Sequence, residues 1–365
     1  MGNIYFITGF PGFISNQLVR ELLKRDPSFE KAYFLVLPAQ KGTALQEINR
    51  LNAEKTLNPR QTVILEGDIT IGGLGIGETE NAELQGQITH VYHLAAIYDL
   101  AVPRDLAWKV NVDGTRNVND WVKNLTRLKR YTYFSTAYVA GTRKGLLKEN
   151  ELIRPPSIKN HYEETKYMAE VYVAELKKEL PVTIIRPGIV KGRSDTGETI
   201  KFDGPYFILN FLHALKFSPL IPFLGSSSSV VNLVPVDYVI EACAYLTLDQ
   251  KGAGKTYHLT DPDPYTVTEI YSLLVEAYLD KKPRGRLPLW LCRAFLSIKP
   301  FRRAFGVEKE ALDYFTWEGR FECSTAISDL AGSGIKCPDL TEGIQPMVGF
   351  YSQNRHNPAY QIHIL

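Results

Sequence analysis

Tyr162 and Lys166 stand four residues apart in the run His161-Tyr162-Glu163-Glu164-Thr165-Lys166. On a helix that spacing puts them on one face, about one turn apart. A free tyrosine, with a pKa of ~10, is a poor acid or base near neutrality. A neighbouring ammonium lowers that value, as does the positive charge of an oxidised nicotinamide. A phenol tuned in this way protonates a carbonyl oxygen as hydride arrives, or deprotonates an alcohol in reverse. Thr136, in Ser135-Thr136-Ala137-Tyr138, carries a hydroxyl that can donate to the same oxygen. A Tyr-x-x-x-Lys spacing also arises by chance on amphipathic helices, so its meaning depends on what surrounds it.

A nucleotide turn at the start of the chain supplies that context. The apolar run 3–7 (NIYFI) leads into Thr8-Gly9-Phe10-Pro11-Gly12-Phe13-Ile14, and Leu18, Val19, Leu22 and Leu23 then follow on one helical face. Strand, tight turn and helix in this order aim backbone N–H groups and the positive helix end at a diphosphate. Gly9 permits the turn and Gly12 lets the backbone approach the phosphates. Where a third glycine is usual, this chain has Ser15.

The elements between turn and helix follow in order. Residues 31–37 (KAYFLVL) read as a second strand, ending in Leu37-Pro38-Ala39-Gln40-Lys41 with no acid. An acid there would hydrogen-bond the adenine-side ribose and repel a phosphate. Lys41 and Gln40 can instead reach a 2′-phosphate, which favours NADP(H) over NAD(H); Lys41 is otherwise a solvated loop charge. Residues 42–57 read as a helix and 62–65 as a third strand, followed by Asp68 and Ile69, which can hold and cover an adenine or equally form an ordinary turn. A fourth strand, 89–94, runs into Ala95-Ala96, small enough to let a ribose pass. His93 within it reads as a satisfied core histidine. A helix over 108–122 carries Asn111 in a structural role. A fifth strand, 130–134, delivers Ser135-Thr136 to the carboxyl edge of the sheet, where open α/β folds bind ligands. The Tyr162 helix runs to about residue 179. A sixth strand, 182–185, leads to Arg186-Pro187-Gly188, with Val190 beyond, which lets the chain cross near a nicotinamide or is a plain strand-to-turn exit.

Taken together, the motifs resemble those of the extended branch of the short-chain dehydrogenase/reductase superfamily. They are TGFPGFI at 8–14, GDI at 67–69, HLAA at 93–96, NVDGT at 111–115, STAYVAG at 135–141, YEETK at 162–166, RPG at 186–188 and NLVPVDYV at 232–239. The resemblance implies an α/β fold, a Rossmann doubly wound parallel sheet with a smaller C-terminal substrate-binding domain. It implies Thr136, Tyr162 and Lys166 as the catalytic set, with Ser135 as the alternative hydroxyl. Gly9, Gly12, Asp68 and Ala95 become cofactor contacts. STAYV, RPGIVKGRSDTGE at 186–198 and LVPVDYV are most similar to the male-sterility-type group of fatty acyl-CoA reductases and carrier-bound thioester reductases. The division expected is a nucleotide-binding domain from 1–185 plus about 229–260, a cap from about 186–228 plus 261–350, and a loosely held tail.

In the remaining third, 192–204 reads as a polar loop over the site and 205–217 as an apolar helix walling a pocket. Residues 230–234 are expected to return to the sheet, Asp237 to cap the following helix, and 257–259 to form the last strand. The segment 284–305 mixes Leu287, Trp290, Phe295, Ile298 and Phe305 with Arg284, Arg286, Arg293, Lys299 and Arg302. It reads as a domain-closing helix, a lid over an apolar channel, or a peripheral membrane contact.

Composition excludes other classes. The 365 residues carry a formal charge of +2 and no long basic run, against nucleic-acid binding. Cys243, Cys292, Cys323 and Cys337 are scattered, with no CxxC pair and no zinc spacing, as suits free thiols in a cytoplasmic setting. The start lacks the features of a signal peptide, and no apolar run reaches the ~20 residues of a spanning helix. The expected partner is a small carbonyl or acyl substrate, free or carried on coenzyme A or a carrier, and a homodimer is an open possibility. A nucleotide-sugar epimerase or dehydratase with recycled NAD is the alternative, although Ala137-Tyr138 replaces the acid pair a dehydratase needs. A non-catalytic NADP sensor is the third reading.

Overall fold

The computed structural model describes residues 2–54, 58–98, 102–225, 228–307 and 309–361. Seven strands form one sheet: β1 (Asn3–Thr8), β2 (Phe29–Val36), β3 (Thr62–Glu66), β4 (His90–His93), β5 (Arg130–Phe134), β6 (Val182–Pro187) and β7 (Thr256–Leu259). Their order is β7-β6-β5-β4-β1-β2-β3, and every pairing is parallel. The order reverses between β1 and β4, and in such sheets the ligand crevice opens at that reversal. β4, β5 and β6 are buried along their whole length, as a sheet covered on both faces requires.

Helices cover both faces. On one side α1 (Phe13–Arg25) and α2 (Lys41–Ala53) bury Leu18, Val19, Leu22, Ala44 and Ile48. On the other lie α3 (Glu78–Gln85), α4 (Gly114–Val122) and α5 (His161–Glu175), with Leu84, Val118, Trp121, Ala169 and Val173 inward. A second apolar cluster joins α6 (Tyr206–Ala214), α8 (Val267–Leu279) and the helix Ile344–Asn354 through Tyr206, Leu209, Tyr271, Leu274, Met347 and Tyr351. Between them in sequence, α7 (Val236–Leu248) returns to the first face, with Val239, Cys243 and Leu246 against α1. The 284–305 segment becomes two short helices, α9 (Leu289–Leu296) and α10 (Lys299–Phe305). Cys243, Cys292, Cys323 and Cys337 are all free.

Several expectations need correction. Residues 230–234 do not rejoin the sheet. Leu233–Pro235 pairs instead with Ile189–Lys191 in a separate two-stranded ladder, because β7 occupies the edge beside β6. Asp237 is not a cap: Pro235 holds the cap position of α7, and the Asp237 carboxylate accepts from the Ser194 amide at 2.8 Å and its hydroxyl at 2.5 Å. The helix expected over 108–122 starts at Arg104 and passes through a π-helical stretch, Trp108–Asp113, before α4. The α5 helix gives way to a 3-10 turn, Leu176–Lys178.

The expected tail is held as far as the structure describes it. Tyr351 is buried, and the Tyr360 ring stacks on Phe202 with ring centres 5.3 Å apart. The Phe202 amide donates to the Tyr360 carbonyl at 2.9 Å. Phe202 is fully buried and also meets Tyr206 and Tyr351. Phe202→Ala is expected to cost about 3–5 kcal/mol, read from urea unfolding; a loss under about 1 kcal/mol contradicts this packing.

Candidate active site

The turn after β1 is shaped by two glycines and a serine. Gly9 has φ +82°, and a Cβ there would lie 2.7 Å from the Ala95 amide nitrogen. A Cβ on Gly12 would lie 2.7 Å from the Gly9 carbonyl oxygen. Ser15, in the usual place of a third glycine, donates its hydroxyl to the carbonyls of Gly9 and Gly12, both at 2.9 Å. No side chain caps α1, and its first turn holds no acid. Its leading N–H groups and positive end are therefore available to an anion. This cradle fits the diphosphate of a dinucleotide.

The wall opposite is braced by buried polar contacts. Thr8 Oγ1 meets His93 Nδ1 at 2.7 Å and accepts from the Ala95 amide at 3.1 Å. His93 Nε2 meets Thr115 Oγ1 at 3.0 Å. Burial pushes the His93 pKa down to about 3, so the ring is a neutral strut, as its apolar strand implied. Asn111 also takes its expected structural role. Its Oδ1 accepts from the Ile97 amide at 2.8 Å, and its Nδ2 donates to Thr165 Oγ1 at 3.0 Å. Asp68 accepts from the Thr70 amide at 2.8 Å, beside Ile69.

Asn160 caps α5 by accepting from the Glu163 amide at 2.9 Å, which fixes where Tyr162 and Lys166 face. Lys166 Nζ donates to the Phe134 carbonyl at the end of β5 and sits 4.4 Å from the Tyr133 ring centre. Thr136 Oγ1 accepts from the Tyr138 amide at 3.2 Å, which leaves its own proton to donate elsewhere. Ser135 differs: its hydroxyl is committed to the Glu170 carboxylate. Glu170 is in turn paired with Arg186 through Nε at 2.9 Å and Nη2 at 2.5 Å, both side chains nearly fully buried.

The electrostatics reverse one expectation. Burial pushes the Tyr162 phenol well above its ordinary value, and the Glu163 carboxylate adds to the rise. Burial pushes Lys166 down to about 7, with Glu170 partly opposing. Desolvation favours the neutral form of both groups, so Tyr162 is raised rather than lowered.

One cavity of 1520 Å³ gathers nearly all the residues expected in the site. It is lined by Thr8, Gly9, Phe10, Pro11, Gly12, Phe13 and Ile14 of the turn, by Asp68 and Ile69, and by Ala95 and Ala96. It continues past Ser135, Thr136, Tyr162 and Lys166 to Pro187, Gly188 and Val190. Lys41 is not part of this lining: its ammonium pairs with Glu66 at 2.6 Å, and both are about half exposed. Gln40 and Leu37 do line it. Tyr98 and Asp203 are additions. Tyr98 packs edge-on against Tyr162 with ring centres 4.9 Å apart, and its place three residues after Ala95 was the available signal. Asp203, in the expected polar loop, is raised by burial to about 6, with Lys201 opposing. Beyond Tyr162 the cavity becomes an apolar arm between α6, α8, α9 and α10, including Phe207, Phe211, Leu224, Leu296, Phe305 and Phe315. The 284–305 segment thus supplies part of the arm's wall.

A crevice of this kind, over a parallel sheet in the order 3-2-1-4-5-6-7 along one direction, belongs to the Rossmann-like fold of the extended short-chain dehydrogenase/reductase type. Residues 7–243 match the model of the Male sterility protein family, and the chain belongs to that family. It is 28% identical over 271 residues to the fatty acyl-CoA reductase wat of Drosophila melanogaster, covering 65% of this chain and 52% of that one. It is 23% identical over 351 residues to the probable fatty acyl-CoA reductase 4 of Arabidopsis thaliana, covering 77% and 71%. The chain thus spans about half the length of the fly relative. Among solved structures it superposes on the terminal R domain from the myxalamid PKS-NRPS biosynthetic pathway with a TM-score of 0.81 and 26% identity, covering 98% of this chain and 92% of that one.

Two outcomes are expected. Lys166 binds fewer protons folded than unfolded between about pH 7 and 10.5, so its burial penalty is relieved as pH rises through that window. From about pH 7 to 9, wild type is expected to gain on the order of 2 kcal/mol relative to Lys166→Met, measured by chemical denaturation at each pH. An equal response of the two proteins contradicts the depressed pKa. Glu170→Gln leaves the buried Arg186 charge uncompensated and is expected to cost about 3 kcal/mol in the same assay; a neutral substitution contradicts the pairing.

Proposed function

We infer that this chain is an NADP(H)-dependent reductase of acyl thioesters, with the acyl chain lying in the apolar arm. The observation that carries the reading is the continuity of the cavity from the glycine turn past Tyr162 into that arm. Ligand pockets commonly enclose about 300–1,000 Å³. At 1520 Å³ this one has room for a dinucleotide and a second, largely apolar molecule. The fatty acyl-CoA reductases among its relatives support a thioester carbonyl as the reacting group.

A reduced nicotinamide bound here would supply the hydride, and the chain's own residues do the rest. The glycine turn and the α1 terminus would hold the diphosphate, and Asp68 and Ile69 would flank the adenine. Thr136 donates its free hydroxyl proton to the carbonyl oxygen, and Tyr162 O–H delivers the proton that balances the hydride. Breaking the carbon–sulfur bond then gives an aldehyde and a thiol. Lys166, titrating near neutrality, supplies the positive charge beside the phenol and a donor toward the ribose. The apolar wall excludes water, which strengthens each of these hydrogen bonds. Tyr162→Phe is expected to lower turnover of a long-chain acyl-CoA at least about a hundredfold, with NADPH affinity within about twofold by calorimetry. Turnover close to wild type would remove Tyr162 from the chemistry.

The NADP(H) preference rests on the end of β2, where no carboxylate lines the cavity. Lys41 can turn from Glu66 to a 2′-phosphate, since both side chains are solvent-accessible. Lys41→Ala is expected to weaken NADPH binding about threefold and Glu66→Gln to tighten it, with NADH affinity unmoved in both. Parallel changes for the two nucleotides contradict a phosphate contact.

A further inference from the structure

We propose that the mouth of the apolar arm is a docking surface for an anionic lipid bilayer, through which an acyl chain passes between the membrane and the cavity. Residues 281–303 hold eight Lys and Arg and no Asp or Glu, in a chain whose formal charge is only +2. Among the described residues, Arg293–Asp313 at 2.8 Å is the one ion pair these cations make. Lys282, Arg284, Arg286 and Lys299 are exposed.

The same surface presents large apolar side chains to water. Trp290 on α9 is 71% exposed, and Phe217 on the neighbouring loop is 89% exposed. The two segments are joined side by side. Lys281 Nζ donates to the Lys216 and Ser218 carbonyls at 3.1 and 2.9 Å, and Arg286–Leu287 pairs with Phe223–Leu224. Leu220 and Phe295 are about half exposed and also line the cavity, so the rim of the arm lies within the patch.

This combination favours a bilayer over the other acidic partners. The phosphates of a coenzyme need cations but give no reason to hold Trp290 and Phe217 in water. An interface takes both, burying the aromatic bodies at the headgroup level while basic side chains meet anionic headgroups. Among the described residues no helix is long and apolar enough to cross a membrane, so the contact is peripheral. The proposal depends on the surface alone; only the passage of an acyl chain rests on the function inferred above.

Co-sedimentation with sucrose-loaded vesicles tests it without turnover. Wild type is expected to bind vesicles of phosphatidylcholine with about a quarter phosphatidylserine, to ignore pure phosphatidylcholine, and to release as salt rises. Lys282→Glu/Arg284→Glu/Arg286→Glu is expected to weaken binding by about a hundredfold, near fivefold per cation removed. Phe217→Ser/Trp290→Ser is expected to weaken it at least about tenfold. Both variants change exposed residues and are expected to keep wild-type NADPH affinity, which separates loss of docking from loss of fold. Absence of sedimentation with the anionic vesicles, equal binding to both vesicle types, or binding unchanged in both variants overturns the proposal. So does capture of an acidic carrier protein by wild type without any vesicle binding.

Discussion

Three elements that line the crevice meet at one buried ion pair. Glu170 lies one turn beyond Lys166 on α5, Arg186 lies on β6, and Ser135 immediately precedes Thr136 at the end of β5. Arg186 donates to Glu170 through two nitrogens, and Ser135 donates to the other carboxylate oxygen. Arg186 also donates to the Glu149 and Glu151 carbonyls, at 3.3 and 2.8 Å, and meets His258 Nε2 at 3.1 Å. A buried pair adds little net stability against an apolar replacement, but removing one partner is costly. Its consequence is geometric: helix and two strands have few other ways to satisfy these charges. Thr136 and Lys166 inherit their positions from that constraint.

The network extends beyond the sheet. Glu149 is buried and accepts from the His258 amide at 2.9 Å, the Thr325 amide at 2.6 Å and the Ala326 amide at 3.2 Å. The C-terminal segment is thereby fastened to β7 and, through Arg186, to the crevice. Around this polar scaffold the cavity wall is mostly apolar, and that contrast explains the electrostatics. Tyr162 and Lys166 are both shifted toward their neutral forms because both have lost water. A phenol and a lysine held in such a place respond strongly to any charge that enters the crevice.

Much of this was legible in the chain. The glycine turn, the five strands before Tyr162 and the Tyr162–Lys166 spacing follow from local patterns: apolar runs, small residues at strand ends, and helical periodicity. What was not legible depended on distant partners. Ser135 and Thr136 are adjacent hydroxyls, and only Glu170 distinguishes them. Asp237 looks like a helix cap until Ser194 arrives from another loop. Residues 230–234 look like a sheet strand until β7 takes the edge. The π-helical stretch around Asn111 has no period of its own in the sequence. Arg186, a charge inside an apolar strand, was the clearest available signal of a buried partner.

The central claim is that hydride leaves the cofactor and stays in the product. Incubating the protein with NADPH carrying deuterium at C4 and a long-chain acyl-CoA, then analysing the products by mass spectrometry, tests it most directly. The account predicts deuterium bonded to the former thioester carbon and consumption of NADPH in proportion to the product. An unreduced substrate with the label retained on the nucleotide, or a tightly held nucleotide recycled without net consumption, would contradict it.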